Sequence, residues 1–125
     1  MYTQNKANAA QRERKGLTSY FMWNRQQNEH TKLAITWVEV VPGSRQRPHH
    51  HEPEQVYVIV QGQGIMEIDG EKQSVTTGDL IYIPSNATHG ITNHGDELLV
   101  YVSAATPAFD LVDAYDRGQL QTQNY

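Results

Sequence analysis

Apolar and polar positions follow one another in short runs along most of the chain, and turn-forming residues separate these runs. Residues 33–41 (LAITWVEVV) are rich in β-branched and aromatic side chains and end at Pro42-Gly43, which predicts a strand followed by a turn. Residues 56–60 form the next apolar run, and glycines mark a bend after it. Short strands at this close spacing favour a β-barrel or β-sandwich over a helical fold.

The second half of the chain repeats this pattern. An Asp-Gly pair at the end of residues 65–69 is a strong hairpin signal that leads into residues 71–75. Residues 80–83 and 98–103 are the last runs with the character of strands. The sequence therefore predicts an all-β fold.

The two ends of the chain lack this pattern. Residues 1–16 are polar and show no apolar periodicity, which predicts a flexible arm. Residues 107–125 mix apolar side chains with aspartates, which is typical of a short helix or of a strap lying on a barrel. The expected organisation is thus a flexible polar N-terminal arm (1–16), one β-barrel (17–106) and a C-terminal strap or tail (107–125).

Length, composition and charge limit the classes of protein to consider, since 125 residues suffice for one domain with a core and not for two. The sequence contains no cysteine, which excludes disulfides and thiol catalysis. The formal net charge of −4 is mild and spread along the chain, which argues against a nucleic-acid partner. No segment approaches the roughly 18 apolar residues that span a bilayer. We therefore expect a cytoplasmic protein with no membrane partner.

The chemically distinctive stretch is residues 43–62 (GSRQRPHHHEPEQVYVIVQG), in which three adjacent histidines precede an apolar run. If this run is a β-strand, alternate side chains point to one face, so His49 and His51 share a side and His50 takes the other. Gln55 returns to the face of His49 and His51. Two imidazoles held on one face of a strand are half of a metal site.

A second stretch, residues 78–93 (GDLIYIPSNATHGITN), adds His89 just after an apolar run that ends in Pro84. The histidine triplet taken alone is more typical of a polar surface run. The additional histidine in a separate pattern favours metal binding instead, with three imidazole nitrogens and one amide oxygen as ligands. His50 and His94 are expected to face solvent.

The first stretch is similar to the first motif of the cupin family. It reads Gly43, five residues, His49, one residue, His51, three residues, Gln55, six residues and Gly62. It departs from the family in one position, because cupins usually have Glu where this chain has Gln55.

The second stretch resembles the second cupin motif. It reads Gly78, five residues, Pro84, one residue, Asn86, two residues, His89, three residues and Asn93. Asn86 stands where the family usually has Gly, and this departure is mild because Asn tolerates the left-handed backbone conformation better than most residues. Two long patterns in the right order are a specific signal.

The resemblance implies a fold, a cofactor and an assembly. The fold is a double-stranded β-helix, or jelly roll, that carries one divalent metal inside the barrel. Small cupins usually pair through an outer sheet, so the resemblance also implies a homodimer. It implies no single reaction, because cupins include dioxygenases, decarboxylases, isomerases, lyases and sugar-binding proteins.

Three histidines and one oxygen donor suit a divalent transition metal such as Mn, Fe, Ni, Co or Zn and leave positions open for water or substrate. A neutral amide at Gln55 leaves more positive charge on the site than a carboxylate would, which favours anionic substrates. Glu52 or Glu54 replaces Gln55 as the oxygen ligand if the strand bulges at this point.

Candidates for proton transfer are the residues nearest the predicted metal, namely Tyr57 and Glu54, together with metal-bound water. Other side chains are weighed against a purely structural role. Arg45 and Arg47 precede the ligands and are candidates for a substrate carboxylate, although exposed loop arginines are usually solvated. Aromatic residues on several strands either line the pocket or, as is commoner, pack the core: Trp37, Tyr57, Tyr82 and Tyr101.

The sequence thus supports one function and leaves an alternative open. The favoured function is a metal-dependent enzyme acting on a small oxygen-rich or anionic organic substrate, as a dioxygenase, isomerase or lyase. The alternative is a non-catalytic cupin that binds or senses a small molecule or a sugar. Turnover that a chelator abolishes would distinguish the first from the second.

Overall fold

The computed structural model describes residues 1–108 and the backbone of residues 121–122. Strands make up most of this part of the chain, and a 3-10 turn at Lys6–Asn8 precedes them. The strands are β1 (Ala10–Arg14), β2 (Leu17–Trp23), β3 (Ala34–Val40), β4 (Arg45–His50), β5 (Glu54–Gln61), β6 (Gln63–Ile68), β7 (Glu71–Thr76), β8 (Leu80–Ile83), β9 (His89–Thr92), β10 (Leu99–Thr106) and β11 (Gln121–Thr122).

The strands form two antiparallel sheets. One has six strands in the order β1-β2-β3-β10-β5-β8, and the other has five in the order β11-β4-β9-β6-β7. Neighbours such as β10 and β5 are distant in sequence, which is typical of a jelly roll. The prediction of an all-β double-stranded β-helix is confirmed.

Side chains from both sheets meet in one apolar core. Tyr57 and Ile59 on β5, Leu99 on β10 and Ile91 on β9 are each at most 1% exposed. The alternation predicted for β5 holds, because the inward Tyr57 and Ile59 alternate with Val58, which is 39% exposed on the outer face. The barrel interior is thus filled by alternate residues of each strand.

The N-terminal region differs from the flexible arm expected over residues 1–16. β1 pairs with β2 in full register, from Ala10 opposite Phe21 to Arg14 opposite Leu17. The turn between them is Lys15-Gly16, and both residues have positive φ, at 52° and 87°. Two such residues make the tight hairpin turn whose twist matches that of paired strands, so backbone geometry rather than apolar periodicity orders this segment.

The strap or tail predicted for residues 107–125 lies almost entirely outside the described residues. Within that range, the backbone of β11 pairs with β4, with Gln121 opposite His50 and Thr122 opposite His49. Among the residues that the structure describes, no helix is long and apolar enough to cross a bilayer. The cytoplasmic location stays a prediction.

Candidate metal centre

The three predicted histidines and Gln55 lie together between the two sheets. His49 is the penultimate residue of β4 and His89 begins β9, and the two residues are paired directly across these strands. The β4–β9 register shifts between Gln46 and His49, and this irregularity is typical of strands beside functional sites. His51 follows β4, and Gln55 approaches from β5 in the opposite sheet.

A backbone contact joins the two loops that carry these residues. The amide nitrogen of Asn86 donates to the carbonyl oxygen of His51 at 2.8 Å, and the amide of Ala87 donates to the Pro84 carbonyl at 3.1 Å. Asn86 has a φ of 64°, in the left-handed region that Asn tolerates. The turn before His89 is therefore tied to the loop of His51, which brings the distant histidine to the other two.

The imidazole rings converge on one point. One ring nitrogen from each of His49, His51 and His89 lies within 4.8 Å of the other two. The ring centroids of His49 and His89 are 4.3 Å apart, and the Nε2 atom of His51 is 3.1 Å from Oε1 of Gln55. All four side chains are buried, with His89 completely inaccessible and Gln55 6% exposed.

Backbone carbonyls determine which nitrogen of each imidazole carries the proton. The Nδ1 atom of His49 is 3.1 Å from the Arg47 carbonyl oxygen, and the Nδ1 atom of His51 is 2.9 Å from that of Pro53. The Nδ1 atom of His89 is 2.9 Å from the carbonyl oxygen two residues before it. A carbonyl only accepts hydrogen bonds, so each Nδ1 donates and each Nε2 keeps its lone pair.

Burial keeps these imidazoles neutral. Burial, together with the nearby His89, lowers the pKa of His49 to about 3. Burial also lowers the pKa of His89 to about 4, and it lowers the pKa of His51. Neutral imidazole is the form that binds metals, so the cluster needs no deprotonation near neutral pH.

The arrangement of polar atoms at the point of convergence suits a cation. The Nε2 atom of His89 is buried and has no hydrogen-bond partner among the described residues. The Nε2 atom of His51 faces Oε1 of Gln55, and both atoms are acceptors when Nδ1 holds the imidazole proton. Burying the unpartnered Nε2 of His89 is costly. Imidazole nitrogens and an amide oxygen are suitable ligands for a divalent transition metal, so the residues present fit such an ion.

Further polar side chains, which the sequence analysis missed, support this group. Ser103 on β10 accepts a hydrogen bond from Nε2 of Gln55 at 2.5 Å. Gln46 on β4 accepts from the hydroxyl of Tyr57 at 2.5 Å and from that of Tyr101 at 3.2 Å. The available signal for Ser103 was a lone hydroxyl on the inward, otherwise apolar face of a strand.

Tyr57 and Glu54, the two candidates for proton transfer, occupy opposite faces of β5. The buried Tyr57 ring packs edge-on against His89 with centroids 6.0 Å apart, and its hydroxyl donates to Gln46. Glu54 is exposed and accepts a hydrogen bond from the hydroxyl of Tyr82 at 3.1 Å. Glu52 is also exposed. The structure thus brings Gln55 to the histidines and neither neighbouring glutamate.

Other candidate residues lie away from the histidines. The Trp37 indole donates to Glu39 at 3.0 Å on the outer face of β3, and Tyr82 is 52% exposed. Arg45 and Arg47 border a surface pocket together with the basic residues of the β1–β2 turn. His94 is exposed. Of the four aromatic residues weighed as pocket lining, only Tyr57 and Tyr101 point into the barrel.

A small cavity approaches the site from the six-stranded sheet. Its volume is about 20 Å³, enough for one water molecule. Besides Gln55 and Ser103 it is lined by side chains that are mostly short: Phe21, Asn24, Ala34, Thr36 and Ala105. Access to the histidines from this direction is therefore narrow.

Known proteins with similar sequences include enzymes. The chain is 33% identical over 81 residues to dimethylsulfoniopropionate lyase DddW of Ruegeria pomeroyi, an alignment that covers 65% of this chain and 53% of the lyase. It is 30% identical over 84 residues to an acireductone dioxygenase of Exiguobacterium sibiricum, covering 63% of this chain and 47% of the dioxygenase. The chain thus spans about half the length of these relatives.

Solved structures share the fold at lower sequence identity. KdgF from a Halomonas species superposes with a TM-score of 0.76 at 20% identity, covering 88% of this chain and 96% of KdgF. The sequence model of the cupin domain matches residues 36–105, more than half of this chain. The matched region contains all three histidines and Gln55, and we conclude that the chain belongs to the cupin family.

Proposed function

We propose that this cupin is a metal-dependent enzyme that acts on a small, oxygen-rich or anionic organic substrate. The observation that carries the proposal is the convergence of three buried, neutral imidazoles on one point beside an amide oxygen. Three neutral nitrogens and one oxygen leave coordination positions open on an octahedral ion, and water or substrate can occupy them. The relatives that are a lyase and a dioxygenase support an enzymatic role.

The proposed ligands are His49, His51, His89 and Gln55. A divalent ion held there would supply Lewis-acid activation of a bound substrate oxygen. The ligands carry no charge, and the two glutamates nearest Gln55 in sequence are exposed, with Glu54 bonded to the outer-face Tyr82. Positive charge at the centre is therefore weakly compensated, which favours substrates with a carboxylate or an enolised carbonyl.

The described side chains also limit the size of the substrate. The cavity beside Gln55 is bordered by Phe21, Ala34, Thr36 and Ala105, and its volume of about 20 Å³ holds one water molecule. Space beside the amide on this side of the site is therefore small. We infer a compact substrate that reaches the site with few rotatable groups.

Tyr57 was a candidate for proton transfer, and we propose that its role in the reaction is indirect. Its hydroxyl donates to Gln46, and its ring packs against His89, so it holds the ligand ring in place. Glu54 is directed away from the histidines and is not assigned a role in the reaction. The class of reaction, whether lyase, dioxygenase or isomerase, follows from the substrate that is turned over.

The test is metal content followed by turnover. Protein purified without a histidine tag is analysed for bound metal, stripped with a chelator and reloaded separately with Mn, Fe, Co, Ni and Zn. Each form is then assayed for oxygen uptake with enediols, diketones and catechols, and for cleavage of dimethylsulfoniopropionate. We expect about one metal per chain and turnover that the chelator abolishes. Tight ligand binding without turnover would instead establish the non-catalytic alternative.

We also propose a homodimer formed through the outer face of the six-stranded sheet. Exposed apolar side chains on β5 and β8 support it, including Val60 at 40%, Leu80 at 62% and Tyr82 at 52% exposure. Light scattering coupled to size-exclusion chromatography tests this assembly. We expect a dimer from the unmodified chain and a monomer from Leu80→Lys, whereas a monomeric unmodified chain would refute the dimer.

A further inference from the structure

Ser103 is a polar residue on the buried, inward face of β10. It is 6% exposed and lies between two inward-facing apolar residues of the same strand, Tyr101 and Ala105. Across the sheet it is paired with Thr36 of β3 and Tyr57 of β5. A hydroxyl at such a position is costly unless it is hydrogen-bonded, and its partner here is the side-chain amide of Gln55.

The two ends of the Gln55 amide are chemically different, and each faces a different neighbour. Oε1 is 3.1 Å from Nε2 of His51, whereas Nε2 of Gln55 donates to the Ser103 hydroxyl at 2.5 Å. Only the oxygen can bind a cation. If the side-chain amide were flipped, so that its oxygen and nitrogen exchanged places, the NH₂ group would face the histidines and exclude an ion.

The alternative orientation is a real competitor when no cation is bound. Nε2 of His51 is an acceptor, because Nδ1 donates its proton to Pro53. A turned amide would donate to this nitrogen, while the Ser103 hydroxyl, which can donate as well as accept, would donate to Oε1. The observed orientation, with two acceptors facing each other, is the one that a cation between them favours.

We propose that Ser103 is a positioning residue that anchors the side-chain amide of Gln55 beside Nε2 of His51, where its oxygen can reach the metal. The inference rests on the proposed metal site and extends it to a residue outside the proposed ligand set. In the metal-bound protein, the Ser103 hydroxyl accepts a hydrogen bond from the Gln55 amide, so the buried NH₂ group does not lack a partner. Without the hydroxyl, the buried amide loses this hydrogen bond in either orientation, so the Gln55 side chain is no longer fixed beside the histidines.

The experiment measures the metal dissociation constant by chelator competition in Ser103→Ala and in the unmodified chain. We expect affinity to fall by about 10- to 100-fold, the usual effect of removing a group that orients a metal ligand. The visible absorption spectrum of the Co(II) form should change as well, because the oxygen ligand is no longer held. A cooperative thermal unfolding transition of the metal-free variant would confirm that it is folded.

A second pair of variants separates the hydroxyl from the packing of the side chain. The variants are Ser103→Thr and Ser103→Val. Threonine and valine side chains have nearly the same shape, but threonine has a hydroxyl where valine has a methyl group. We expect the Thr variant to bind metal more tightly than the Val variant. The ratio of their dissociation constants should be similar to the ratio between the Ser103→Ala variant and the unmodified chain. Equal affinities in Thr and Val would overturn the inference, even if Ser103→Ala did not fold.

The Gln55→Glu background provides the sharpest control. A carboxylate is attracted to the ion by its own charge and presents an oxygen in either orientation, so it depends less on an anchor. Ser103→Ala should therefore weaken metal binding much less there than with Gln55. Equal losses in both backgrounds would show a general structural role and overturn the inference. If the unmodified chain binds no metal, the proposed function fails together with it, whereas metal binding that ignores Ser103 refutes the positioning role alone.

Discussion

The interior of this barrel has two halves that are equally buried and chemically opposite. In one half Ile59, Leu99 and Ile91 pack against each other with at most 1% exposure. In the other, His49 and His89 are buried to the same degree, and Nε2 of His89 has no hydrogen-bond partner among the described residues. Burial alone therefore does not indicate what a region contributes.

The apolar half stabilises the fold, because removing apolar surface from water is favourable. The histidine half costs stability, since polar nitrogens lose water and gain only part of their hydrogen bonds in return. The backbone carbonyls that accept from Nδ1 reduce this cost and orient the rings. A bound cation removes the cost that remains. The difference between the apolar half and the histidine half can be tested by changing residues in each.

The largest expected effect is on metal binding in His51→Ala. Removing one of three converging imidazoles should abolish metal retention through gel filtration, measured as metal per chain by elemental analysis. The matched control is His50→Ala, since His50 is the adjacent residue and is not part of the converging group. Equal losses in the two variants would show that the alternation along β4 does not select the ligands.

In the apolar half, Leu99→Ala should lower the free energy of unfolding by about 2–5 kcal/mol, the usual cost of truncating a fully buried leucine. Leu99 is completely inaccessible. Urea denaturation followed by tryptophan fluorescence measures the loss, and Leu33→Ala, at a residue 49% exposed, is the control. Folded Leu99→Ala should keep its metal stoichiometry, and a loss of metal there would mean that the two halves are not separable.

Adding metal should stabilise the folded chain. A ligand that binds only the native state contributes about 2.7 kcal/mol at a free concentration of 100 times its dissociation constant. We expect the melting temperature of chelator-treated protein to rise by several degrees on addition of the preferred metal. His51→Ala should show no such rise, and an equal rise in that variant would place the metal at another site.

The metal-free protein should lose stability as the pH falls. The pKa of His49 is lowered by burial to about 3 and that of His89 to about 4, from an ordinary value of 6.5. Below that ordinary value the unfolded chain binds protons that the folded chain does not, so the free energy of unfolding decreases from about pH 6.5 down to about pH 4. Above about pH 6.5 these two residues contribute no pH dependence.

Urea denaturation in the presence of a chelator, at intervals between about pH 8 and pH 4.5, measures this decrease. The variant His30→Ala is the control, because His30 is exposed and lies outside the buried histidine cluster. A stability that stayed constant from about pH 7 to pH 5 would contradict the burial of neutral imidazoles.

The smallest expected effect is a gain, in Gln55→Glu. Replacing the neutral amide with a carboxylate should tighten metal binding by roughly tenfold, or about 1.4 kcal/mol, because a charge replaces a dipole at the ion. Chelator competition measures it, and Glu54→Gln on the outward face is the matched control with no expected change. Weaker binding in Gln55→Glu would argue against Gln55 as a ligand.

The members of the site could be predicted, although the reason given for their convergence was only partly right. Alternation along one strand predicted that His49, His51 and Gln55 share a side, and the three residues do converge. They do so from β4, from the loop after it and from β5 in the opposite sheet, so the crossing of the chain between the sheets brings them together. The N-terminal hairpin was missed because its signal is a pair of left-handed turn residues rather than a hydrophobic period. Ser103 was missed because no pattern in the sequence links it to a residue 48 positions away.

The sequence by itself determined the period of the strands, the family motifs and the identity of the candidate ligands, because each depends on neighbours along the chain. Only the tertiary structure decided which nitrogen of each imidazole is available and which way the Gln55 amide points. It also decided that Glu54 faces Tyr82 and not the histidines. These properties depend on hydrogen-bond partners and burial that distant strands supply, and no local pattern contains them.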